Sequence, residues 1–81
     1  MTQDTPKPLN TLPIGQIGTV SELVLHDSER RRMLDLGLVK GTQVTALQKS
    51  PSGDPVAYFI RGAVIALRTE DASKILVRCP A

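Results

Sequence analysis

The chain has 81 residues, 41% of them hydrophobic, and ten Lys and Arg against eight Asp and Glu leave a net charge of +2. A chain of this size forms one domain at most and buries only roughly 60–65% of its unfolded surface, which excludes a second module and a large catalytic cleft. The charge is too small to mark a phosphate-binding face by itself, and the single cysteine, Cys79, excludes an intrachain disulfide and fits a reducing compartment.

Residues 1–8 are polar, with Asp4 and two prolines, and are expected to form a flexible tail, dispensable for folding, ahead of a domain over residues 9–79. They lack the basic and then apolar plan of a secretory signal. The longest apolar run, Ala63–Leu67, is far short of the roughly 20 residues that cross a bilayer, so a cytoplasmic protein without direct membrane insertion is expected. Leu9 and Leu12 are placed to pin the entry to the core, and Pro13-Ile14-Gly15 reads as a turn. Gly18 to Leu25 reads as a first strand on its Thr and Val content. Its alternation is imperfect, with Val20 and Glu22 on one face and Thr19, Ser21 and Leu23 on the other.

A short helix follows. Asp27 and Ser28 can cap its free amides, and Glu29 places negative charge in the first turn, where the helix dipole favours it. At 100° per residue Met33, Leu34 and Leu36 share one side, Arg31 and Asp35 lie opposite, and Arg30 and Arg32 border the apolar stripe. Gly37 stands where helices commonly exit through the left-handed region, and Gly41 marks a second tight turn before a strand from Gln43 to Gln48. Lys49 to Pro55 is a loop open to insertion. Val56 to Ile60 and Ala63 to Arg68 flank only Arg61-Gly62, the spacing of a two-residue hairpin. Glu70 to Lys74 is a single turn, and Ile75 to Arg78 is a last strand stopped by Pro80. The pattern is mainly β, five short strands with one helix inserted after the first, and predicts a small closed barrel, since closure removes exposed edges.

Catalytic chemistry finds little support. His26-Asp27, Glu70-Asp71 and a distant Cys79 do not make metal-ligand spacing, so no metal ligand or cofactor is assigned. One His and one terminal Cys without an orienting third group do not make a nucleophilic site, and the glycines form neither a P-loop nor a dinucleotide fingerprint. Arg30-Arg31-Arg32 is the obvious basic patch, and a solvated helix face and a binding role both fit it. Tyr58 and Phe59 are adjacent and so face opposite sides of their strand, leaving at most one base-stacking platform and no case for nucleic acid.

Leu12-Pro13-Ile14-Gly15, Arg32 through Val44, Arg61-Gly62, Ala66-Leu67-Arg68, Ala72 and Ile75-Leu76-Val77 together resemble the FeoA-like domain family of bacterial ferrous iron transport protein A, over about Leu9 to Arg78. The resemblance implies a Src-homology-3-like barrel, in agreement with the strand count. It implies a small cytosolic accessory of ferrous iron uptake, and hence of transition-metal handling, that docks on the ferrous-iron permease, a membrane protein with a GTPase domain, at the inner face of the membrane. It implies action by protein contact, with no enzyme activity, and no tight ferrous-ion site is expected. On that footing the partner surface is expected at Arg30, Arg31, Arg32 and Lys40, with Met33 or Leu38 as apolar anchors if exposed, while Gly37, Gly41 and Gly62 serve as structural turns. Lys40 departs from the proline that many members carry before the glycine. The domain also resembles the C-terminal module of iron-dependent repressors, which makes a metal-responsive regulatory module the alternative, and a small RNA- or ribosome-associated barrel is the third. Weak self-association stays open.

Overall fold

A computed structural model describes residues 5–79, and six antiparallel strands in one sheet carry the fold. In chain order these are β1 (Lys7–Pro8), β2 (Ile17–Leu23), β3 (Gln43–Lys49), β4 (Val56–Ile60), β5 (Ala63–Leu67) and β6 (Ile75–Arg78), with a 3₁₀ turn at Leu9–Thr11 and helices α1 (Asp27–Asp35) and α2 (Thr69–Ala72). The spatial order is β1-β6-β2-β3-β4-β5. The architecture is mainly β, as expected, with two departures. There are six strands, and the ladder is open, with β1 and β5 as its edges. The sixth strand comes from Lys7 and Pro8, expected in the tail, which pair with Val77 and Leu76. Proline, lacking an amide, suits such an edge. Pro80 and the first four residues of the expected tail lie outside the described residues.

The uneven alternation of β2 has a local cause. Val20 pairs with Val77 and Glu22 with Leu76, leaving Ser21 as the extra residue of a bulge. The bulge resets the phase, so Val20 and Leu23, expected on opposite faces, are both buried. A second bulge at Leu47 in β3 does the same between Ala46 and Gln48. The core they curve around includes Leu9, Leu12, Val20, Met33, Leu38 and Tyr58.

The helix begins otherwise than the sequence suggests. His26 is the N-cap, no side chain caps the amides, and Asp27 lies in the left-handed region at φ 54°. Its end is as expected. Gly37, at φ 98°, donates its amide to Leu34 O at 3.0 Å, and Leu38 donates to Met33 O at 3.0 Å. These two bonds make a Schellman motif, and the apolar residues it brings together, Met33 and Leu38, both lie in the core.

Candidate functional site

The arginine run, contiguous in sequence, is divided by the fold. Arg30 Nη1 donates to Leu23 O at 3.2 Å, and Arg32 Nη2 donates to Asp71 Oδ2 at 2.9 Å, so these two tie α1 to β2 and α2. Arg31 and Lys40 are exposed, and among the described residues neither has a carboxylate within 4.0 Å. Arg31 therefore does not pair with Asp35. Met33 and Leu38 are fully buried, a correction to their place as anchors: the Schellman bonds turn both side chains into the core.

The turns flanking Lys40 follow from backbone requirements. Thr42 donates its amide to Val39 O at 3.0 Å, and Gly41 takes φ 94° at the third position, the pattern of a type II turn with Lys40 second. Gly41 then donates to Val20 O and Val20 to Thr42 O, both at 2.8 Å, locking the turn onto β2. The Thr42 hydroxyl donates to Gly37 O at 2.9 Å, closing the helix exit onto the start of β3. Proline suits the second position of a type II turn, and the Lys40 amide donates no backbone hydrogen bond among the described residues. Lys40→Pro is therefore expected to raise stability by about 0.4–1 kcal/mol through the unfolded chain, read as a higher thermal midpoint.

Gly62, at φ 84°, completes the β4–β5 hairpin, and Arg61 before it is also left-handed at φ 49°. Both positive values make a type I′ turn, for which Asn, Asp or Gly are the usual first residues. Arg61 is thus an outlier, and its stem lies against Gly37, where a β-carbon would stand 2.4 Å from Arg61 Cδ.

A feature that the sequence reading missed lies on the outer face of the sheet. Ile17 pairs with Thr45, Thr45 with Phe59 and Phe59 with Val64, so the four stand in one row across β2, β3, β4 and β5. Ile17 and Phe59 are each 44% exposed and Val64 is 65% exposed. Ile17, Thr45, Phe59 and Arg61 line a shallow groove there. Tyr58, on the opposite face from Phe59, is buried.

Among the described residues, no three of His, Cys, Asp and Glu converge to hold a metal ion. Burial first, and the charge of Asp54 second, push the Tyr58 hydroxyl above its ordinary 10.0, so it stays neutral near pH 7. Asp54 Oδ1 accepts from the Thr69 amide at 2.8 Å and its hydroxyl at 3.2 Å, capping α2 from the β3–β4 loop. No described helix is long and apolar enough to cross a membrane.

Known proteins share this fold. The model of the FeoA domain matches residues 7–79. A 48-residue stretch is 46% identical to an Fe(2+) transport protein A/Fe(2+) transporter FeoB fusion protein of Porphyromonas gingivalis, covering 59% of this chain and only 6% of the fusion. The FeoA-like protein of Clostridium acetobutylicum superposes with a TM-score of 0.87 at 34% identity, over 100% of this chain and 92% of its own. FeoA of Stenotrophomonas maltophilia, solved with zinc and described as a prokaryotic SH3-domain protein, gives a TM-score of 0.75 at 32% identity, over 90% of this chain and 88% of its own. The likeness to the T. acidophilum IdeR, at 20% identity and a TM-score of 0.81, concerns the fold alone.

Proposed function

This chain belongs to the FeoA domain family, small non-enzymatic Src-homology-3-like domains of ferrous iron transport, and on that premise we propose that it is a cytosolic accessory that docks on the cytosolic part of the ferrous-iron transporter and modulates transport. The carrying observation is the fusion relative, in which a stretch 46% identical to this one shares a chain with the transporter FeoB. Covalent linkage holds two modules at high effective concentration, an arrangement suited to partners that act in contact. The transporter's GTPase domain is the natural cytosolic target, and docking there would recruit the domain to the inner face of the membrane.

Exposure and freedom from ion pairs make Arg31 and Lys40 the polar contacts of this reading, while Arg30 and Arg32 are occupied within the fold. Titration calorimetry of the purified chain against the transporter's cytosolic region is expected to show saturable binding. Replacing Arg31 and Lys40 together by alanine is expected to weaken it by roughly threefold to tenfold, the scale for exposed charge contacts. Absence of saturable binding by the unaltered chain refutes the docking.

A further inference from the structure

We propose that the outer-face groove around Arg61 is a docking site for an acidic segment of the transporter's cytosolic region, a carboxylate meeting the Arg61 guanidinium and a neighbouring apolar side chain seating on Ile17 and Phe59; this rests on the docking proposed above. Three features meet at this place. The first is the row Ile17–Thr45–Phe59–Val64, apolar but for Thr45, which continues to the free edge at β5. Exposed contiguous apolar surface rimmed by polar groups is a mark of interaction sites.

The second feature is charge. Arg61 is the one charged residue lining the groove, and among the described residues its guanidinium has no carboxylate within 4.0 Å. Arg61 and Phe59 line the same groove, so the site combines an unpaired arginine with an exposed aromatic residue, two residue types enriched at interfaces. A second copy of this chain is a poor occupant. Pairing two such grooves about a twofold axis would bring two arginines into one interface, and the lining of neither groove supplies a carboxylate for them. An acidic segment supplies what the lining lacks.

The third feature is strain. Arg61 occupies a left-handed position that Asn, Asp or Gly would fill with less strain, and backbone outliers of this kind point to function when the side chain has a use. The stem packs across Gly37, where the absent β-carbon makes room for it, so the helix exit fixes where the guanidinium is carried. Neither Arg31 nor Lys40 lines the groove, which permits independent tests.

Aspartate is well suited to the first position of a type I′ turn, so Arg61→Asp reverses the charge without opposing the backbone, and its thermal midpoint is expected to be no lower than that of the unaltered chain. Binding of the transporter's cytosolic region, measured by calorimetry, is expected to weaken by about tenfold or more in Arg61→Asp, and Arg61→Lys is expected to restore most of it. Phe59→Ser, at an exposed position, should give a similar loss with the amide spectrum of the folded domain preserved. Unchanged binding in both Arg61→Asp and Phe59→Ser overturns the groove while leaving docking intact. No binding by the unaltered chain overturns both.

Discussion

Replacing Gly37 by valine is expected to destabilise the domain by about 1–3 kcal/mol, mostly through left-handed backbone strain for a residue with a β-carbon and to a smaller extent by displacing a neighbouring side chain. The first contribution follows from φ 98°, a region that β-branched residues almost never occupy. The second is smaller, because the Arg61 stem that the new β-carbon would meet belongs to an exposed, flexible side chain that can swing aside. A thermal melt of Gly37→Val with an unchanged midpoint contradicts both. The two contributions separate in a double-mutant cycle of Gly37→Ala with Arg61→Ala. Truncating Arg61 relieves the overlap and leaves the backbone strain, so the double mutant should be more stable than the sum of the single losses by only about 0.5 kcal/mol.

The helix exit and the hairpin were legible because each is dictated by local chemistry. A glycine after the last apolar helical position favours the left-handed exit, and two residues between apolar strands leave few turn types. The helix entry was not legible. Asp27 and Ser28 are good caps by composition, yet Asp27 takes φ 54° and the Arg30 guanidinium reaches back to Leu23 O, a contact across seven positions that no capping rule contains. The faces of β2 were misread for a related reason. Strict alternation cannot put Val20 and Leu23 on one side, and the Ser21 bulge that does so is defined by the pairing with β6. Closure was overestimated because the edge pairings are tertiary facts. The β1 strand is two residues long, and β5 has a partner on one side only.

The candidate surface was legible in part. Its cations were visible as a run, but their division depends on Leu23 O and on Asp71, 39 positions from Arg32. The apolar row was invisible in one dimension, because Ile17, Thr45, Phe59 and Val64 become neighbours only through the register of four strands. One local signal was available. Arginine at the first position of a two-residue hairpin loop conflicts with the turn's own preference, and such a conflict between local propensity and fold points to a functional position.

Met33 carries the sharpest distinction between a surface residue and a core residue in α1. Its side chain is 0% exposed and belongs to the same buried cluster as Leu38, Tyr58 and Ile75. Met33→Ala is therefore expected to lower the stability by about 2–5 kcal/mol, through lost transfer free energy and the cavity left behind. Total stability for a chain of this length is only on the order of 4–12 kcal/mol, so the loss is a large fraction of it. The thermal midpoint should fall by roughly 10–25 °C. Met33→Leu conserves volume and should cost less than about 1.5 kcal/mol. Because the side chain does not reach solvent, Met33→Leu is expected to bind the transporter's cytosolic region as the unaltered chain does. A Met33→Ala protein that keeps its midpoint but loses binding would place this side chain on the docking surface, and the packing of α1 described above would then be wrong.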